Sequence, residues 1–140
     1  MKLCILGGGL TGLSLAKSLV KKGLSIDIFL NKKKSDFNRS RTIGISNDNL
    51  MYFNKEILDI KKLFWDIKKI EIYSDNLRNE KILNFENNNK TVFAIIRNYQ
   101  LQSKLLKSLK KDKLCKFKQN FDYIPSNCLL YTSPSPRDNR

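Results

Sequence analysis

Lys2-Leu3-Cys4-Ile5-Leu6-Gly7-Gly8-Gly9-Leu10-Thr11-Gly12, running on into Leu13 to Lys22, is the stretch around which the rest of the chain is organised. Leu3 to Leu6 is an apolar run without a polar break, the pattern of a strand buried on both faces. Gly7, Gly9 and Gly12 follow with G-x-G-x-x-G spacing. Beyond Gly12 the pattern turns helical, with Leu15, Ala16 and Leu19 on one face and Lys17, Lys21 and Lys22 largely off it. Gly23 stops that helix, and Leu24 to Leu30 reads as a second strand. Each glycine has a physical role in such a turn. Gly7 permits the bend out of the strand, Gly9 lets a pyrophosphate approach the backbone, and Gly12 lets the helix pack close to the strand. The helix start offers free N–H groups and a positive dipole end to phosphates. The context, strand then helix then strand, is the one the motif requires. It points to a nucleotide-binding βαβ unit in an α/β, Rossmann-like fold with a parallel sheet. The competing reading is a glycine-rich turn in some other α/β protein.

At 140 residues the chain can hold one domain with a real core. Its formal net charge is +14. Such a charge suits a nucleic-acid or anionic-membrane partner, but the lysines are spread over helix faces and loops, and no aromatic residues interleave with them as in a single-strand binder. Lys, Asn and Ile all have A/T-rich codons, so composition accounts for the charge. Nucleic acid is set aside, and peripheral membrane contact stays open. No run approaches the ~18 apolar residues of a membrane span. Met1-Lys2 leads straight into a core strand, which does not suit a signal peptide. Cys4, Cys115 and Cys128 lack metal-ligand spacing, and Cys4 reads as a small core residue. With no histidine in the chain, a zinc site and a Ser-His or Cys-His pair are not expected. A reducing cytoplasm fits.

Asn31 to Ser40 is a basic loop holding Lys32-Lys33-Lys34, and Arg41-Thr42-Ile43-Gly44-Ile45 is a short extended piece. Ser46 can cap a helix over 47–58, whose apolar positions are Leu50, Phe53, Ile57 and Leu58. Ile67 to Tyr73 alternates as a half-buried strand with Ile70 and Ile72 inward. Lys81 to Phe85 and Thr91 to Ile96 are two more strands, joined through Asn87-Asn88-Asn89. The strands of about 67–97 form a small antiparallel insertion, separate from the nucleotide-binding sheet. Leu101, Leu105, Leu106 and Leu109 give one face of a helix over 98–111, with Lys104, Lys107, Lys110 and Lys111 on its solvated side. Leu114 to Phe117 is a strand that can rejoin the first sheet.

Three blocks together resemble the FAD-dependent aromatic hydroxylases of the para-hydroxybenzoate hydroxylase type, most nearly the ubiquinone-biosynthesis hydroxylases of bacteria. They are Ile5 to Ala16, Arg41 to Ser46, and Ile96 to Leu106. The resemblance covers about residues 2 to 120. It implies FAD as cofactor, NAD(P)H as electron donor and hydroxylation of an aromatic ring, here a ubiquinone precursor. By the same resemblance Gly7, Gly9, Leu10, Thr11 and Gly12 line the pyrophosphate site. Arg41 lies on the flavin side, and Arg97 or Asn98 near the ribityl chain. The family ends its second strand with an acid that binds the adenosine ribose. Here that place falls at Leu30 or Asn31, and Asn31 is taken as the ribose contact. Asp27 is mid-strand. Lys32 to Lys34 keep a 2′-phosphate, and hence NADP, open. No side chain is assigned a catalytic role. The implied setting is the cytoplasm, with contact to the inner membrane and a complex with other ubiquinone-biosynthesis proteins allowed.

Cys128-Leu-Leu-Tyr-Thr-Ser-Pro-Ser-Pro-Arg-Asp138 differs in composition from what precedes it. It resembles the translation of a transposase adapter from sequencing libraries; the other reading is a natural Ser/Pro-rich tail. On the first reading, residues 1–127 are an N-terminal part of the FAD-binding domain, and 128–140 are an artefactual, disordered tail. Two other outcomes stand against the hydroxylase. One is the nucleotide-binding domain of an NAD(P)-dependent oxidoreductase, which predicts further parallel βα units straight after the second strand. The other is a truncated fragment without activity of its own.

Overall fold

A computed structural model describes residues 2–30, 39–75, 80–86, 88, 90–119 and 129–132. The chain divides into two compact units, Met1–Asn38 with Tyr99–Arg140, and Arg39–Asn98.

In the first unit β1 (Lys2–Leu6) leads through the glycine turn into α1 (Leu10–Lys21), and then β2 (Ser25–Phe29). β1 and β2 pair in parallel, Leu3 opposite Ile26 and Ile5 opposite Ile28. β8 (Cys115–Lys118) adds in parallel to the other edge of β2. The strand expected near Leu114 therefore does rejoin the first sheet. Side chains alternate across a strand, so Ile26 and Ile28 share one face of β2, and Ser25, Asp27 and Phe29 the other. Ile5, Leu13, Ala16, Ile26 and Ile28 are all buried, as one apolar layer between sheet and helix requires. The helix buries Gly12, Leu13, Ala16 and Val20. Ala16 was expected there; Leu15 and Leu19 were expected too but are only half-buried, because the stripe that meets the sheet begins at Gly12.

Of the helix that opens with Asn98 (α3, Asn98–Lys110), Leu101, Leu105 and Leu109 are buried. Leu106 lies just off that stripe and is half-buried. β9 (Leu129–Thr132) pairs in parallel with β1, within a stretch where the sequence suggested a disordered tail. Leu129, Leu130, Tyr131 and Thr132 suit a strand, and β1 has a free edge for them. The rest of the tail, Cys128 and residues 133–140, lies outside the described residues.

The second unit is antiparallel. β3 (Thr42–Ser46), β7 (Phe93–Arg97) and β4 (Phe64–Ile67) form a sheet in the order β3-β7-β4, and β5 (Lys69–Tyr73) pairs with β6 (Lys81–Glu86) as a separate ribbon. Among the described residues, β3 is the next strand after β2, and its partner is the antiparallel β7. That departs from the run of parallel βα units an NAD(P)-dependent oxidoreductase predicts. Ala94 and Ile96 of β7 are buried, whereas the ribbon is open: Ile72 is 43% and Phe85 47% exposed. Of the half-buried face expected of Ile70 and Ile72, Ile70 is half-buried and Ile72 is exposed. The helix expected over 47–58 divides into α2 (Asn47–Tyr52) and a wider turn over Phe53–Ile57. The Leu58 N–H donates to the Phe53 carbonyl, five residues back, and so ends it. Of Asn87-Asn88-Asn89, only Asn88 is described, at φ +36, a conformation asparagine tolerates better than most residues.

Candidate nucleotide-binding site

Gly7 leaves β1 at φ +103, where a side chain would be strained. Its N–H donates to the Phe29 carbonyl at 2.9 Å, tying the turn to the end of β2. At Gly12, a Cβ would stand 3.1 Å from Ile5 Cγ2 and 3.2 Å from the Gly7 carbonyl oxygen. The close approach of α1 to β1 therefore favours a glycine there. Gly9 is different. Its backbone is extended, at φ −72 and ψ 169, and a Cβ on it would meet nothing within 4 Å. Among the described residues, neither conformation nor packing requires a glycine at that point. A glycine there leaves the backbone open to close approach from outside.

Gly9 is also the N-cap of α1. It has no side-chain cap, and no acid lies in the first turn. The first intrahelical bond runs from the Leu13 N–H to the Gly9 carbonyl at 3.0 Å. The N–H groups of Gly9, Leu10, Thr11 and Gly12 thus have no acceptor within the helix. Gly9 and Thr11 are exposed. Four orphan donors and a positive helix end suit an anionic pyrophosphate. Sequence reasoning named these five residues, and the fold brings them into one turn. It did not single out Gln102, whose side-chain Nε2 donates to the Gly8 carbonyl at 2.6 Å. No local signal could have found a bond that spans 94 residues.

The other site residues belong to the second unit. The Asn98 N–H donates to the Arg41 carbonyl at 2.9 Å, and Thr42 pairs with Arg97. Arg41, Arg97 and Asn98 are therefore neighbours at one end of the β3–β7 ladder. Arg41 is exposed. The Arg97 guanidinium lies 5.3 Å from the centroid of the Trp65 ring, a cation–π contact that holds it across to β4. Asn98 Oδ1 is buried and has no hydrogen-bond partner among the described residues. Asn31 and Lys32 to Lys34 lie outside the described residues.

Asp27, the strand's acid, is fully buried on the face of β2 away from α1. Lys2 Nζ is 3.0 Å and Lys118 Nζ 2.8 Å from its carboxylate. Burial pushes its pKa up, but the hydrogen bonds and charges of Lys118 and Lys2 outweigh that and hold the carboxyl below its ordinary value. Asp27 thus joins three strands and is committed within the protein. Among the described residues, no group of three or more Cys, Asp or Glu side chains could hold a metal ion. No helix there is long and apolar enough to cross a membrane.

No family model matches the sequence, and no curated protein does. Solved structures do. The p-nitrophenol 4-monooxygenase PnpA from Pseudomonas putida matches at TM-score 0.67 and 15% identity, over 85% of this chain and 32% of its own. HpxO from Klebsiella pneumoniae, complexed with FAD and uric acid, matches at 0.60 and 19%, over 84% of this chain and 30% of its own. The fold is that of the FAD-dependent monooxygenases. PqsL from Pseudomonas aeruginosa, in complex with 2-aminobenzoylacetate, matches at TM-score 0.64 and 13% identity, over 98% of this chain and 36% of its own. The chain thus spans about a third of the length of the monooxygenases whose fold it shares.

Proposed function

We propose that this chain is the FAD-binding N-terminal part of a flavin-dependent monooxygenase that hydroxylates an aromatic ring, with a ubiquinone precursor as its substrate. The observation that carries the reading is Gly9: a glycine that none of the described residues requires, at an uncapped helix start, inside a turn where φ calls for Gly7 and tight packing favours Gly12. The monooxygenase fold of the solved relatives supports flavin over a free nicotinamide nucleotide as the resident group.

In this reading the Gly9, Leu10, Thr11 and Gly12 N–H groups hold the pyrophosphate. Gly7 makes the turn, and Asn31 is the proposed contact for the adenosine ribose. Arg41 supplies a fixed positive charge on the flavin side. Arg97 and Asn98 serve the ribityl chain, where the unpartnered Asn98 Oδ1 is a ready acceptor for a hydroxyl. Bound flavin, once reduced by NAD(P)H, supplies the chemistry that passes one oxygen atom of dioxygen to an electron-rich ring. The residues described here bind and orient it. Activity belongs to the whole protein, and the 140-residue chain by itself is inactive. A lipid-like precursor fits a basic protein of net charge +14 working in the cytoplasm against the inner membrane.

The test is NAD(P)H oxidation by the full-length protein. A rate that rises with added phenolic ubiquinone precursors and falls away without dioxygen supports the proposal. A rate indifferent to phenols and to dioxygen contradicts it.

A further inference from the structure

We propose that Gln102 is a positioning residue for the glycine turn: by holding the Gly8 carbonyl, it sets the direction in which the Gly9 N–H meets a bound pyrophosphate. The inference rests on the nucleotide-binding reading of that turn.

The Gly8 carbonyl and the Gly9 N–H belong to one peptide unit. That unit is planar and trans, so its C=O and N–H point in opposite directions. Fixing one fixes the other. Three consecutive glycines make the turn the most permissive stretch of backbone in the chain, and nothing intrinsic to it stops the Gly8–Gly9 plane from rotating. Its ends are anchored. The Gly7 N–H is bound to Phe29, and the Gly9 carbonyl accepts from Leu13. The middle is held by the Gln102 amide, at 2.6 Å. Gln102 can do this because its own origin is fixed. It follows Leu101 on α3, and Leu101, Leu105 and Leu109 are buried. The donor must be the amide nitrogen, since the Gly8 carbonyl only accepts. The turn that receives the anion is thus set by a side chain from the far end of the sequence, before any ligand arrives.

The experiment uses the full-length protein. Gln102→Met removes the donor while keeping length and helix propensity, and Gln102→Lys returns a donor of similar reach. The first readout is the Gly9 amide resonance in the flavin-free protein, by its position and line width. The second is FAD affinity. For Gln102→Met the Gly9 resonance is expected to shift and broaden as the Gly8–Gly9 peptide plane is released. FAD binding should weaken roughly threefold to tenfold, the worth of one ordinary hydrogen bond. The Val20 amide, deep in α1, should keep its protection. Gln102→Lys should restore both signals. An unchanged Gly9 resonance in Gln102→Met overturns the proposal, and so does a loss of hydrogen-exchange protection at Val20, which marks lost packing rather than lost orientation. A wild-type protein that takes up no FAD removes flavin as the ligand, while the Gly9 response still shows whether Gln102 orients the turn.

Discussion

Replacing Gly9 by alanine separates what the fold needs from what a ligand needs. At φ −72 and ψ 169, alanine is unstrained. Its Cβ would meet nothing within 4 Å, so no packing is disturbed. Alanine restricts the unfolded chain more than glycine does, which is worth about 0.4–1 kcal/mol at a compatible site. For a chain of this size that raises Tm by roughly 1–3 °C. The same methyl group is carried by the residue that opens the row of orphan N–H groups. If it displaces one charge-assisted hydrogen bond to the pyrophosphate, the loss is about 1.5–3 kcal/mol, or roughly tenfold to hundredfold in Kd. The assay pairs a thermal melt of the flavin-free protein with a titration of FAD by flavin fluorescence. Gly9→Ala is expected to melt at or above wild type and to bind FAD far more weakly. Wild-type FAD affinity in Gly9→Ala would refute the assignment of Gly9 to the cofactor. A markedly lowered Tm would refute the claim that the fold does not need this glycine.

At Gly44 the ring of Phe93 lies where a Cβ would go, its Cδ1 and Cζ 3.0 and 3.2 Å away. Gly44→Ala should cost about 1–2 kcal/mol through displacement of that ring. The cost should largely vanish in a background of Phe93→Ala, as a double-mutant cycle would measure. Asp27→Asn should lower stability at pH 7 by about 2 kcal/mol, since it removes the buried carboxylate charge on which the two ion pairs converge. Because the folded carboxyl titrates below its ordinary value, its contribution is present above the unfolded pKa and fades as pH falls through the folded one. The gap between the two proteins in urea melts should therefore close in acid; a gap that widens in acid would contradict the ion-pair account. In the β5–β6 ribbon, hydrogen bonds from Lys81 and Lys69 hold the Glu71 carboxyl down at about 2. Lys81→Met should move its NMR titration upward, toward the ordinary value of 4.5, and no movement would mean the pair is not formed in solution.

What was legible in the sequence was what is local. Gly7, Gly9 and Gly12 lie within six residues, and the strand, turn and helix around them are written in the same short stretch. Leu101, Leu105 and Leu109 write their own helix by spacing, and Leu114 to Phe117 read as a strand able to rejoin the first sheet, though not beside which strand. What escaped depends on distant partners. The alternation of residues 67 to 97 announces strands but not that β4 and β7 pair in one sheet while β5 and β6 pair in another. Asp27 reads as an oddity in an apolar strand until Lys2 and Lys118, from the strands on either side, are seen to meet it. The widened turn at Phe53–Ile57 hides inside a helical pattern, because its apolar positions still fall on one side. Gln102 is an ordinary polar residue on an amphipathic helix until the fold lays it against Gly8.

The most direct test of the flavin assignment is the visible absorption spectrum of the full-length protein as purified, followed by analysis of what denaturation releases. The account predicts flavin bands and the release of FAD. A colourless protein that takes up no added FAD but binds NADP would contradict it and return the glycine turn to a nicotinamide nucleotide.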